Sequence, residues 1–358
     1  MGAPPPRDAA PLPAALAELG DQAVTRITTL LDAELDRWAQ LDADLVPPLV
    51  ALRDLVTAGG KRLRPAFCHW AFVGAGGNPA DPVVVDVGAA LELLHAFALV
   101  HDDVMDGSDT RRGEAAVHRR FADRHRELAA RGEARRFGEG AAILVGDFAF
   151  VYADMLFATA PPAARPIFDE LRIELCVGQF LDLAASATGA RERGRAELIE
   201  RYKSGKYTVE RPLHLGAALA GRADALAEPL TAYGVPIGQA FQLRDDLLGV
   251  FGNPDVTGKP VGEDLRERKL TPLVAMAVAR DPGLDAELDM LGVEGPPDPD
   301  RIAAVQERLV ATGAVDQVEA SIAALVDTAL AALADAPVTD EAKAALADLG
   351  RFVAWRDR

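Results

Sequence analysis

Apolar residues recur at three- and four-residue spacing through "LAELGDQAVTRITTLLDAELDRWAQL", the repeat of an amphipathic helix. Segments rich in glycine and proline then punctuate the chain: "GAGGNPADP", "ATAPPAARP", "GNPDVTGKP" and "GVEGPPDPD". Between them the pattern stays helical, without strand and helix alternation and without a fixed-period repeat, so an all-α chain is predicted. The charged run "RRFADRHRELAARGEARRFGEG" reads as a solvated helix end and loop. The opening "MGAPPPRDAAPLP", residues 1–13, is expected to be a flexible tail, and 14–358 one domain.

Composition sharpens this picture. Of 358 residues, 49% are hydrophobic and 26% charged, which suits a soluble globular protein with a sizeable core. Aromatic residues make up only 6%, and β-branched alternation is rare, so the balance favours helices. A net charge of −17 argues against nucleic-acid binding and requires any anionic ligand to be held by local cations. Cys68 and Cys176 belong to no metal-ligand spacing and indicate no disulfide framework, so a cytoplasmic setting is expected. The start lacks the basic-then-apolar order of a signal peptide. The most apolar stretch, "AAILVGDFAFVYADMLFATA", is broken by Asp147 and Asp154, so no run is expected to be long enough to span a membrane, and no stable membrane insertion is expected.

Two acidic stretches carry the candidate chemistry. In "LVHDDVMDGSDTRRG", Asp102 and Asp106 lie one helical turn apart on one face, with Asp103 beside them. Three carboxylates this close repel unless a cation compensates them, and one or two carboxylates with open positions for phosphate oxygens suit Mg2+. Taken alone, the cluster reads first as a solvated acidic helix end; a second acidic set is what shifts the reading to metal. A second pair, Asp245 and Asp246, follows Gln242 on a shared face in "AFQLRDDLLGVFG". Both acidic sets end apolar helical runs, and two such faces across a bundle cavity would hold metal against a polyphosphate.

The cations are scattered. "AGGKRLRPAF" places Gly59 and Gly60 before Lys61, Arg62 and Arg64; glycines let a ligand approach the backbone, and arginine offers phosphate a bidentate fork. The P-loop order is missing, so a basic surface turn is the plain alternative. His95 lies two turns before Asp102, roughly 10 Å along the helix. Lys203 in "RYKSGKYTVERPLHLG" and Lys259 in "VTGKPVGEDLRERKL" would each pass for surface lysines, were there no acidic clusters needing a bridging polyanion.

From Gly59 to about Lys269 the ordered motifs "GGKRLRP", "ELLHAFALVHDDVMDGSDTRRG", "GDFAF", "GQFLDL", "KSGKYT" and "FQLRDDLLGVFGNPDVTGKPVGEDL" resemble the trans-type isoprenyl diphosphate synthases, or polyprenyl synthetases. The resemblance implies the all-α isoprenoid synthase fold, a single large bundle of antiparallel helices around a central cavity, as a homodimer. It implies that several Mg2+ ions bind Asp102, Asp103 and Asp106 on one helix and Asp245 and Asp246 on another. Lys61, Arg64, His95 and Arg112 would hold isopentenyl diphosphate. Arg111, Lys203, Gln242 and Lys259 would hold the allylic diphosphate, with the Ser204 hydroxyl beside the lysine. Gln179 and Asp182, one turn apart in "GQFLDL", could face the reacting cation.

Two positions depart from the family pattern. Gly249 stands where a third aspartate usually closes the second motif, and Ser204 replaces the commoner threonine. Glycine-ended versions of the second motif are similar to those of actinobacterial geranylgeranyl diphosphate synthases. Chain length would be set by Phe97, the family's usual floor position, beside the small Ala98, although ideal helix geometry puts Ala98 more directly beneath Asp102. One aromatic there, with no insertion in "DDVMD", implies geranylgeranyl diphosphate as product. Farnesyl or longer products, a class I terpene cyclase and a non-catalytic regulatory subunit stand as alternatives.

Overall fold

The computed structural model describes residues 13–188, 193–252, 262–266, 269, 271–291 and 299–356. Helices follow one another: α1 (Ala14–Ala39), α2 (Val46–Thr57), α3 (Leu63–Gly74), α4 (Pro82–Asp106), α5 (Val117–Glu127), α6 (Ala134–Phe157), α7 (Arg165–Thr188) and α8 (Arg193–Glu200). A π-helical run, Arg201–Glu210, leads into α9 (Arg211–Leu219) and α10 (Ala223–Phe251). After a single turn at Glu263–Arg266 come α11 (Pro272–Arg280), α12 (Gly283–Met290), α13 (Pro299–Ala311), α14 (Ala314–Asp335) and α15 (Asp340–Trp355). Among the described residues, the only strands are a two-residue antiparallel pair, β1 (Thr110–Arg111) and β2 (Glu114–Ala115). Of the expected tail, all but Pro13 lies outside the described residues.

The interior forms two apolar clusters. One joins α1, α2, α4, α6 and α7 around residues such as Leu91, Leu94, Val145 and Phe168. The other joins α3, α10, α14 and α15 around Phe67, Tyr233, Ile322 and Val353. The run expected to be solvated is half correct: α5 exposes its arginines but buries Val117, His118, Phe121, Ala122 and His125 against α6. The apolar period there was obscured by surrounding charge.

The membrane expectation needs correcting. By length and composition alone, α4, α6 and α14 could each cross a bilayer, with 61%, 44% and 28% of their most apolar windows buried inside the protein. The reason is the Ala- and Leu-rich make-up of helices that pack on several sides at once. In α4 that packing is against α6, α3 and α1.

α4 has clear ends. Asp81 caps its start by accepting from the Val83 N–H at 3.0 Å, and Gly107 stops it in a left-handed conformation with φ of 68°. That stop leaves Asp102, Asp103 and Asp106 at the C-terminal end. The π-helical run is held from two sides by glycines. A Cβ on Gly178 of α7 would lie 2.2 Å from the Lys203 nitrogen, and one on Gly238 of α10 would lie 2.8 Å from the Gly205 carbonyl oxygen. Glu174 clamps the far half of the run, accepting from Arg211 Nε at 2.6 Å and Nη2 at 2.7 Å and pairing with the buried Lys206. Wide i to i+5 winding of this kind concentrates at functional positions.

Replacing Gly178→Ala should drive α7 off the backbone at Lys203. The expected cost is about 1–3 kcal/mol for overpacking, read as a lower thermal unfolding midpoint, whereas Gly194→Ala, helical and with open space around its Cβ, should hold the midpoint or raise it.

Candidate active site

The first acidic set closes α4, where the peptide dipoles already present negative charge, while Asp245 and Asp246 lie in α10 more than a turn before its end at Phe251. The protein meets this with cations from other elements. Asp102 Oδ1 accepts from Gln179 Nε2 at 2.7 Å and from Lys203 Nζ at 3.0 Å. Lys203 Nζ also donates to Asp182 Oδ2 at 2.6 Å. Burial acts to raise Asp102, but the charges of Lys203 and Lys269 outweigh it and hold the carboxyl below its usual range. Burial likewise opposes the Lys203 ammonium, and Asp102 and Asp182 prevail and raise it.

Asp103 turns the other way. Its Oδ1 accepts from Arg111 Nε at 2.9 Å and also from Nη2, yet burial outweighs the arginine and its carboxyl is raised. Asp106 is exposed at the end of α4.

On α10, Gln242 Nε2 donates to Asp246 Oδ1 at 3.0 Å, the one-turn relation expected from the sequence. Asp245 pairs with Arg356, whose side chain is buried beside the chain's C-terminal end. Asp246 is 2% exposed and pushed up to about 7, chiefly by burial. Glu200 beside it is raised by burial and then by the Asp246 charge. The Asp246 and Glu200 side chains share a hydrogen bond, two raised carboxyls with a proton between them.

The cationic stations converge as well. Gly59 and Gly60 take φ of 96° and 137°, closed to most side chains, and a Cβ on Gly60 would lie 3.0 Å from Arg112 Nη2. Arg112, itself left-handed with φ of 54°, donates to the Leu55 carbonyl at 2.9 Å. Arg64 Nη2 donates to Thr208 Oγ1 at 3.0 Å, and its guanidinium lies 4.1 Å from the Tyr207 ring centre. His95 faces the same ring at 6.1 Å. Burial, then the charges of Arg64, Arg112, Arg62 and Arg111, hold His95 well below its usual range, so it is neutral. Burial and the Arg62 charge bring Arg112 down to about 10. Arg64 Nε and His95 Nδ1 are buried without partners. A crowd of cations with spare donors is suited to an anion.

Most sequence-expected residues therefore gather in two neighbouring groups. Lys61 is half-buried at the head of the glycine turn, and Ser204 follows Lys203 on the π-helical run. Lys259 lies outside the described residues. Phe97 points towards α6, with its ring 5.0 Å from that of Phe150 and 4.6 Å from His101, so Ala98 and Phe97 do occupy different sides of α4. The sequence reading missed Glu200, Lys269 and Arg356, which lie far along the chain from the aspartates they meet. It also missed that Arg62 is a structural cation, bonded to Glu92 Oε2 at 2.5 Å and to the Val56 carbonyl.

Oxygen ligands for a hard cation are available from Asp102, Asp106, Asp245 and Asp246. The buried Asp246, in contact with the Glu200 carboxyl, fits such an ion, since two acids crowded together are relieved by a cation. Among the described residues no three His, Cys, Asp or Glu side chains form a ready-made metal cage. Such an ion would keep coordination positions for other oxygens.

Comparison with known proteins agrees with this geometry. Residues 49–309 match the family model described as polyprenyl synthetase. A geranylgeranyl pyrophosphate synthase from Corynebacterium glutamicum, solved with isoprenyl diphosphate and magnesium, superposes with a TM-score of 0.90 at 37% identity, covering 95% of this chain and 99% of that one. The geranylgeranyl diphosphate synthase of Methanosarcina mazei is 34% identical over 72% of this chain and 79% of its own. The geranylfarnesyl diphosphate synthase of Aeropyrum pernix is 32% identical over 80% and 86%. With the family model covering well over half of its length, the chain is a member of the polyprenyl synthetase family and has the all-α isoprenoid synthase fold.

Proposed function

We propose that this trans-prenyltransferase condenses isopentenyl diphosphate with an allylic diphosphate to give geranylgeranyl diphosphate. The observation that carries the reading is complementary: buried nitrogens without partners at Arg64 and His95, and crowded buried carboxyls at Asp246 and Glu200. A metal-bridged diphosphate satisfies both.

Asp102, Asp103, Asp106, Asp245 and Asp246 are read as the carboxylates for Mg2+, of which several ions are expected. Mg2+ supplies charge neutralisation to the leaving diphosphate. Lys61, Arg64, His95 and Arg112 would hold isopentenyl diphosphate; Arg111, Lys203, Ser204, Gln242 and Lys259 would hold the allylic diphosphate. Lys203, tied to Asp102 and Asp182 without substrate, would donate to the departing diphosphate as the allylic C–O bond ionises. The allylic cation then alkylates the double bond of isopentenyl diphosphate, and a proton is lost from the adjacent carbon to the released diphosphate. Gln179 and Asp182 line this position from α7. Neutral His95 can donate one hydrogen bond without adding to the crowded positive charge.

The growing tail would descend along α4 to the Phe97 and Phe150 rings, which meet at a tilt of 55°. Residues 14–358 are read as one domain. A second copy of the chain would cover the exposed apolar side chains of α6 and α7, among them Leu144, Val151 and Phe180. The unpaired cysteines suit a cytoplasmic setting.

The direct test is incubation of the pure protein with Mg2+, isopentenyl diphosphate and each short allylic diphosphate. A twenty-carbon prenyl diphosphate is expected; a cyclic hydrocarbon without chain extension would contradict the reading. Lys203→Ala should lower turnover on the order of 10²–10³-fold with folding intact, as for removal of a preorganised donor; unchanged turnover would remove Lys203 from the site. In Phe97→Ala, chromatography of the dephosphorylated products should show longer chains, and an unaltered product distribution would place the floor elsewhere.

A further inference from the structure

Two guanidinium groups from distant segments meet at the end of α2, on carbonyls that the last turn of a helix leaves open. Arg112 Nη1 donates to the Leu55 carbonyl at 2.9 Å, and Arg62 Nη2 donates to the next one, that of Val56. Both flank the glycine turn: a Cβ on Gly60 would lie 3.0 Å from Arg112 Nη2 and 3.6 Å from the Arg62 guanidinium carbon. Arg62 is only 9% exposed, so water screens little of the repulsion between the two cations.

The counter-charge comes from α4. Glu92, 3% exposed, accepts from Arg62 Nη1 at 2.5 Å through Oε2, while its Oε1 is buried without a partner. Its charge also acts on Arg112, and it stands one turn before His95 on the same side of α4. The Arg62 stem is held as well, since a Cβ on Gly20 of α1 would lie 2.8 Å from Arg62 Cγ. Arg62 follows Lys61 directly and heads α3 with a left-handed φ of 51°. A side chain other than glycine keeps such a backbone only where its surroundings hold it, so the anchor on Glu92 bears on the whole turn from Gly59 to Arg62.

We infer that Glu92 is a positioning residue of the isopentenyl diphosphate station: by holding Arg62 it fixes the glycine turn that carries Lys61 and keeps the Arg112 guanidinium on the neighbouring carbonyl. The inference rests on reading Lys61, Arg64, His95 and Arg112 as that station. Glu92 acts through Arg62 rather than on the substrate. Its expected effect is opposite in sign to charge counting. If charge alone mattered, deleting a carboxylate beside the station would tighten a diphosphate; losing the anchor weakens it.

The test uses the full chain with Mg2+, isopentenyl diphosphate and farnesyl diphosphate, and reads turnover and the KM for each substrate, with circular dichroism as the check on folding. In Glu92→Gln the KM for isopentenyl diphosphate should rise on the order of 10–100-fold, as for loss of a hydrogen bond between charged groups. Turnover and the KM for farnesyl diphosphate should stay near wild type. Arg62→Gln combined with Glu92→Gln should be no worse than Glu92→Gln, because the anchor is lost only once. That double variant leaves no lone charge buried, so it carries the same KM reading where Glu92→Gln alone does not fold. An unchanged or lowered KM for isopentenyl diphosphate, a matching rise in the KM for farnesyl diphosphate, or additive losses in the double variant would overturn the inference. Arg112→Gln separates the two levels: a raised KM for isopentenyl diphosphate there with none in Glu92→Gln overturns only the role of Glu92, and no rise in either overturns the reading of the station as well.

Discussion

Everything at the centre of this protein follows from carboxylates gathered towards the ends of two helices, α4 and α10. At the end of α4 the helix dipole alone opposes such charge by about 0.3–1 kcal/mol, before the acids repel one another. The fold answers with Lys203 and Arg111 for the first helix end and Arg356 for the second. These cations keep the acids ordered without closing a cage. Opposite them, Arg64, Arg112 and a neutral His95 crowd together with donors to spare. The site is thus two excesses of charge that one ligand, a diphosphate carrying Mg2+, can cancel.

Placement of Lys203 shows how backbone packing serves that electrostatics. The lysine rides on a π-helical run pressed between α7 and α10, and contact that close is possible only because Gly178 and Gly238 carry no side chain. The buried Glu174, Lys206 and Arg211 network fixes the other half of the run. Burial would raise Glu174, but the hydrogen bonds from Arg211 and Lys206 outweigh it and keep it ionised. A rigid support of this kind holds the Lys203 ammonium within reach of Asp102 and Asp182.

Much of this was legible in the sequence. Helical period and loop punctuation gave the architecture, and i to i+4 spacing placed Asp102 with Asp106 and Gln242 with Asp246. Contacts between distant segments were not legible from spacing. Nothing in "RFVAWRDR" announces that Arg356 meets Asp245, and nothing in "GEDLRERK" announces that Asp264 lies against Gly249. The charge of α5 hid its buried face, and the apolar content of α4, α6 and α14 exceeded what the broken stretch around Asp147 suggested. Local pattern reports periodicity; it does not report which helix end a remote side chain will reach.

The central claim is that the acidic ends and the cation cluster form one site for a metal-bridged diphosphate. The thermal unfolding midpoint of the wild-type protein with Mg2+ alone, inorganic diphosphate alone and both together tests it most directly, because a ligand that binds only the folded state raises the midpoint according to its occupancy. The account predicts that the two together raise the midpoint well beyond the sum of their separate shifts. Additive shifts, or a full response to Mg2+ alone, would contradict it.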